Sequence, residues 1–397
     1  MKRRTFLTAS LAAAASAAAA RPGHACTEEL RGTGDLALVI ERASGSVLIA
    51  DTTAHEIVHR VEGLGDLSHA SAVYSRDERH AFVFGRDGGL TKIDMLRGVA
   101  VRRILQAGNA IGGAISDDGK LVAVSNYKPG GVRVFDALTL EAVADIPALW
   151  GAGKRSKTVG LVDAPGRRFI FTLYDAGEIW IADFSRGTKP EITRFRDIGD
   201  QPYDALITGD GRHYIAGLFG EDGLVHIDLW AQQPEAQRIL AGYGRGERKL
   251  PVYKMPHLEG WALAAGKFLL PAVGRHELLA LDAQSFREAG RIPVHGQPIF
   301  AVARPDGRQV WVNFAHPLND TVQVIDVPSL SIVHEFKPGP AVLHIEFCPR
   351  GQEVWLSVRD ADELQVYDTH SFARVKTLPA KKPSGIFMTA RAHRIGL

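Results

Sequence analysis

Apolar and polar positions alternate along this chain in short runs, and one kind of run recurs eight times with an aspartate at its end. These are VLIAD at Asp51, LTKID at Asp94, VRVFD at Asp136, IWIAD at Asp183, LVHID at Asp228, LLALD at Asp282, VQVID at Asp326 and LQVYD at Asp368. Successive endings lie about 42 to 54 residues apart, the interval of a four-stranded propeller blade. A second signal precedes most of them: the turns SDDGK, DAPGRR, TGDGRH, RPDGRQ and CPRGQE, followed by LVAVS, FIFTL, YIAGL, VWVNF and VWLSV. A tight Asp/Gly turn feeding an apolar run predicts a hairpin into a buried strand. Each repeat therefore reads as strand, turn, apolar strand, loop, Asp-ended strand and a variable strand such as HEIVHRVEG. The first repeat opens at LALVIERASG without an earlier turn, and the tail PSGIFMTARAHRIGL has no later Asp-ended strand. The two ends are thus expected to share one blade, which removes an open sheet edge. The expected fold is all-β, an eight-bladed propeller over residues 34–397. The eight aspartates are expected to accept backbone hydrogen bonds at turns.

Composition narrows the partners. With 45% hydrophobic residues, 23% charged and a formal net charge of +2, the chain is not a general nucleic-acid binder. The start, MKRRTFLTASLAAAASAAAA, has a charged Arg3-Arg4 head, an alanine-rich apolar stretch and small residues suited to cleavage. Residues 1–25 read as an export signal of twin-arginine type, with 26–33 as a linker, which places the mature protein in the periplasm. The apolar stretch is too short for a membrane span. Cys26 invites lipid anchoring, but Gly23 stands where such signals usually carry leucine. The two cysteines, Cys26 and Cys348, give no disulfide framework, and Cys348 reads as a buried small hydrophobe. There is no CxxCH, hence no covalent c-type haem, and no Cys/His cluster of zinc spacing. No NAD or flavin motif is present, since GYGRG lacks the strand-to-helix context of a dinucleotide fingerprint.

In a propeller the connections that enter each innermost strand open on one face, so residues just ahead of those strands form a ring. That ring collects His69, Asn109 with Gly112 and Gly113, Lys154, Arg155 and Lys157, Tyr203, His257, His295, His344 and Ser384-Gly385. Loops between second and third strands add Arg86-Asp87, Tyr174, His316 and Arg359-Asp360. Several imidazoles on one rim can ligate iron, exchange protons near neutral pH or hydrogen-bond a carboxylate. Taken singly, each is as compatible with a structural role. The long connections LWGAGKRSKTV and GYGRGERKLPVYKMPHLEG bring basic residues that can bind carboxylates or simply face solvent.

The runs SHASAVYSRDERHAFVFGRDGGLTKIDML, YKPGGVRVFDALTLE and GQEVWLSVRDADELQVYD resemble the haem-d1 domain of dissimilatory cytochrome nitrite reductase, an eight-bladed propeller. With GDLSHAS and NAIGGAISDDGKLVAVSNYKPGG, the chain is similar to the exported haem d1 biosynthesis proteins of denitrifying bacteria. The resemblance implies that His69 is the iron ligand, and that His257 and His295 stand at the two distal, proton-donating and hence catalytic positions. From their place on the same face, Arg86, Asn109, Gly113, Tyr203 and His344 are expected to contact the cofactor. The arginine that follows the reductase's ligand histidine has no counterpart in HASAVYS, so Lys154, Arg155 or Lys157 is expected to hold ring carboxylates instead. Without a CxxCH there is no covalent haem route for electrons, which weighs against nitrite reduction. The implied ligand is haem d1 or an iron-containing precursor such as dihydro-haem d1, and the implied role is its late maturation, by dehydrogenation or side-chain modification. The alternative is a non-catalytic carrier that hands the tetrapyrrole to nitrite reductase; a ligand-free interaction propeller is a third reading. Other haem d1 maturation proteins are further implied partners, and a homo-oligomer is compatible with the sequence.

Overall fold

Strands account for nearly all regular structure in this protein because its apolar runs are short, rich in Val, Ile and Phe, and closed by Asp/Gly turns. A computed structural model describes residues 32–242, 260–272 and 274–396. The expected export signal, Cys26, His257 and most of the loop around it lie outside the described residues. Eight four-stranded antiparallel sheets follow one another in chain order, with one two-stranded hairpin, Leu149–Trp150 against Lys154–Arg155. They are the blades of a propeller, numbered here 1 to 8.

Blade 1 contains Leu36–Glu41, Ser46–Asp51 and Glu56–Val61, and its innermost strand is Pro383–Met388 from the other end of the chain. Leu38 stands opposite Phe387 and Val39 opposite Ile386, with a bulge before Glu41 meets Pro383. The innermost strands of blades 2 to 5 are Ser71–Tyr74, Asn109–Ile115, Thr158–Ala164 and Pro202–Ile207. Those of blades 6 to 8 are Ala262–Ala264, Pro298–Ala303 and Val342–Phe347.

Second and third strands are buried along nearly their whole length, whereas outer strands such as Val99–Leu105 and Arg374–Pro379 are mostly exposed. A blade has neighbours on both faces, so its middle strands cannot alternate between core and water and read as continuous apolar runs. The apolar clusters accordingly lie between blades. Leu38 and Ile49 of blade 1 pack with Tyr74 and Val83 of blade 2, and Trp311 of blade 7 packs with Ile345 and Val354 of blade 8. Each repeating aspartate caps the turn after its strand. Asp51 accepts from the N–H groups of Thr53 and Ala54, Asp136 from Leu138 and Thr139, and Asp368 from His370 and Ser371. Asp94, Asp183, Asp228, Asp282 and Asp326 do the same in their blades.

Polar bonds reinforce the closure. Tyr74 Oη donates to Phe387 O at 2.6 Å. Arg391, on the short 3-10 turn Thr389–His393, forks onto Glu346 of blade 8, with Nε to Oε1 at 2.8 Å, and both side chains are buried. Removing one member of such a pair strands the other charge, at about 3–5 kcal/mol. Arg391→Met is expected to lose stability of that order in urea denaturation, and the double variant with Glu346→Gln is expected to recover part of it.

Candidate functional site

A cavity of about 540 Å³ runs into the channel from the face that carries the connections to the innermost strands. Among the described residues, its wall comes from seven of the eight blades. Much of it is main chain and small side chains, such as Gly112, Gly113 and Ala114 of blade 3 and Val159 and Gly160 of blade 4. Phe300 and Phe314 of blade 7 and Phe387 of blade 1 add aromatic surface.

His69 lines the cavity at its mouth. Its loop is built locally: the Asp66 carboxylate accepts from Ser68 N–H at 2.8 Å, and the Arg42 guanidinium donates to Ser68 O. Hydrogen bonds from Ser68 hold the Asp66 carboxyl below its usual range, and the cations of Arg86 and Arg42 add to that. Arg42 itself lines the cavity, and its pKa is pushed down by burial and then by the neighbouring charge of Arg359. Arg359, also on the wall, forks onto Asp360 at 2.9 and 2.8 Å. At the mouth Arg42 is therefore close enough to Arg359 and Arg86 to feel their charge, which Asp66 and Asp360 partly offset.

His344 lies deeper, on the innermost strand of blade 8, and is 7% exposed. Its Nδ1 accepts the N–H of Ile386 at 3.2 Å, so a neutral ring carries its proton on Nε2. The ring packs between Phe300 and Phe387, at centroid distances of 5.4 and 5.7 Å. His316, exposed at the mouth, also contributes to the wall.

The remaining candidates are arranged differently. His295 is absent from the wall: it meets Phe314 edge to face at 5.4 Å, and its buried Nε2 has no hydrogen-bond partner among the described residues. Arg86 does not line the cavity and acts on it only through its charge, while its neighbour Asp87 is paired with Arg103 at 2.5 Å. Asn109 begins the blade 3 inner strand with a buried Oδ1 that has no hydrogen-bond partner among the described residues, again off the wall. Lys154 is exposed on the two-stranded hairpin; Arg155 is paired with Asp145 at 2.9 Å. Lys157 is paired with Asp175 at 3.1 Å and sits 4.2 Å above the Tyr174 ring. None of these three bases reaches the cavity wall. Tyr203 shares a 2.5 Å hydrogen bond with Tyr127, and burial raises both phenols, that of Tyr127 to about 12. Burial likewise pushes the Cys348 thiol up to about 12, which keeps it protonated and unreactive.

Sequence reading missed Arg42 and Asp204, both of which line the cavity. Arg42 occupies a second-to-third-strand loop, the same loop class as Arg359, once the closing strand is counted as the first strand of blade 1. Asp204 follows Tyr203 on an innermost strand.

The family described as Cytochrome D1 heme domain matches residues 31–392. The chain is 61% identical over 376 residues to Protein NirF of Pseudomonas aeruginosa, covering 94% of this chain and 96% of that protein. It is 59% identical over 376 residues to Protein NirF of Stutzerimonas stutzeri, with the same coverage. A dihydro-heme d1 dehydrogenase of Pseudomonas aeruginosa is 30% identical over 360 residues, or 88% of this chain and 70% of that protein. Among solved structures, dihydro-heme d1 dehydrogenase NirN in complex with DHE superposes with a TM-score of 0.80 at 27% identity, covering 92% of this chain and 77% of that one.

The two glycines of the blade 3 wall separate packing from binding. A Cβ on Gly113 would meet the Phe84 ring at 2.3 Å and Ala123 O at 2.5 Å, whereas one on Gly112 would make only ordinary contact with Ser71 Oγ at 3.5 Å. Gly113→Ala is expected to cost about 1–3 kcal/mol in denaturant melts through overpacking. Gly112→Ala is expected to stay within about 1 kcal/mol of the parent in the same melts.

Proposed function

Because this chain belongs to the cytochrome D1 heme domain family, we propose that its channel cavity binds a d1-type tetrapyrrole precursor, such as dihydro-haem d1, and acts on it late in its maturation. The observation that carries this reading is the meeting, on one cavity, of two imidazoles, His69 and His344, with two guanidinium groups, Arg42 and Arg359. Those donor types suit a flat macrocycle that combines iron with carboxylate arms. The bare main chain at Gly112 and Gly113 leaves the wall flat, and Phe300, Phe314 and Phe387 offer apolar ring surface.

The bound group supplies the iron and the conjugated ring on which the chemistry occurs. Within the protein, His69 offers a ring nitrogen to the iron, and Arg42 and Arg359 receive the carboxylates. His344 holds a proton at Nε2 toward the cavity, because Ile386 N–H occupies Nδ1. His344 therefore takes the acid/base place on the wall, ahead of His295. Phe300 and Phe314 exclude water. The role in haem d1 biosynthesis also fits the relatives named NirF and the relative named as a dihydro-heme d1 dehydrogenase.

Residues 1–25 act, in this reading, as a twin-arginine export signal and 26–33 as a linker, so the propeller of 34–397 works in the periplasm and its product passes to nitrite reductase.

Binding and chemistry separate in variants. Arg42→Ala is expected to weaken binding of added dihydro-haem d1 about tenfold, as loss of a charge-assisted contact does. His69→Ala is expected to abolish the shift of the visible absorption bands on binding. His344→Gln is expected to keep that shift yet leave the pigment's mass unchanged, when mass spectrometry follows its conversion in cells. A His344→Gln chain that supports full pigment production, with function lost only where binding is lost, would show a carrier instead.

A further inference from the structure

The blades are complete at Met388, yet the chain continues across the far end of the channel. Gly396 lines the same cavity as His69 and His316. Its N–H donates to Asp163 Oδ1 at 2.9 Å. Its φ is +79°, and a Cβ there would lie 2.4 Å from Ile207 Cγ2, so the chain can pass this point only as glycine. Ile395 beside it packs on the apolar cluster of Ala205 and Ile207 in blade 5.

Asp163 is fully buried on the innermost strand of blade 4, and its other oxygen receives Arg76 Nη2 at 3.0 Å. From the turn of blade 2, Arg76 reaches Ile115 O and Ser116 O of blade 3 at 3.0 and 2.9 Å. It also donates to Ala392 O of the tail at 2.6 Å. On the opposite side Arg391 is forked onto Glu346 of blade 8, and Thr389 Oγ1 donates to Thr33 O and Leu36 O. The segment is thus tied to blades on both sides of the channel, although it belongs to no sheet. Burying Asp163 raises its pKa to about 6, a cost that sheet formation does not require.

We propose that Thr389–Gly396 is the floor of the ligand cavity, held by Asp163 and Arg76 as positioning residues, so that a ligand enters and leaves by the His69 face alone. This rests on the reading that the cavity holds a tetrapyrrole. A through-channel would leave a bound macrocycle open to water from both ends; the floor leaves one.

Zinc protoporphyrin serves as a fluorescent probe, with iodide as a soluble quencher. Gly396→Val, which displaces the floor while keeping chain length, and a chain lacking residues 395–397 are compared with the full-length protein. Both are expected to bind the probe, with dissociation about tenfold faster and iodide quenching about threefold stronger. In the full-length protein, hydrogen exchange of the 389–396 amides is expected to slow when the probe binds, which tests the floor without any variant. Unchanged quenching and dissociation in folded variants, or exchange indifferent to the probe, overturns the floor and leaves the reading of the cavity standing. Full-length protein that takes up no probe overturns that reading and the floor with it.

Discussion

The antiparallel pairing of Pro383–Met388 with Leu36–Glu41 is the bond on which the other relations of this molecule depend. Without it the blade 1 strands would expose an open edge next to the channel, and blades 8 and 2 would lose the sheet between them. The residues at the cavity come from positions as far apart as Arg42 and Gly396, and nothing local brings them together. A β-sheet closed between chain ends is also a contact of very high sequence separation, whose loop-closure entropy must be met by the contacts it makes. Tyr74 and the Arg391–Glu346 pair fasten the same seam from neighbouring blades, which places buried polar bonds beside the contact whose loop-closure cost is large.

Charge at the mouth follows from which bases lie on the cavity wall. Arg155 and Lys157 are off it and pair with Asp145 and Asp175, 10 and 18 residues away, whereas Arg359 lines it although it is forked onto Asp360. Arg42 is held among other cations, and its strongest described hydrogen bond is to a carbonyl, that of Ser68. A guanidinium kept below its usual pKa by burial and by like charge gains most from an incoming anion. The same bond fixes the loop that bears His69, so two residues of the cavity wall, Arg42 and His69, share one support.

The sequence made the blades legible for a physical reason: each needs the same turn, and Asp is the residue that satisfies two amides there. Blade number, strand order and the shared first blade could all be read from that repetition. The rim was legible only in part. His69 stands at a loop end just ahead of the blade 2 innermost strand, and it lines the cavity. His295 and His344 are each near the start of an innermost strand, but His344 lies within it and faces the cavity, while His295 precedes its strand by three residues and packs on Phe314. A strand alternates every residue, so offsets of this size decide between wall and interior. Arg42 escaped notice because blade 1 borrows its first strand from the far end, which shifts the identity of every loop in it. The pairing of Arg155 and Lys157 with acids depends on the register of neighbouring strands, and composition carries no trace of that.

Closure also reaches the chemistry. Ile386, whose N–H fixes the His344 tautomer, belongs to the closing strand itself and faces Val39 across the seam. The strand that joins the chain's ends therefore determines which nitrogen of a neutral His344 ring carries the proton. A loosened seam would free Nδ1, and the ring could then present either nitrogen to a ligand. In this fold one backbone segment both closes the ring of blades and sets the tautomer of His344, a residue of the cavity wall.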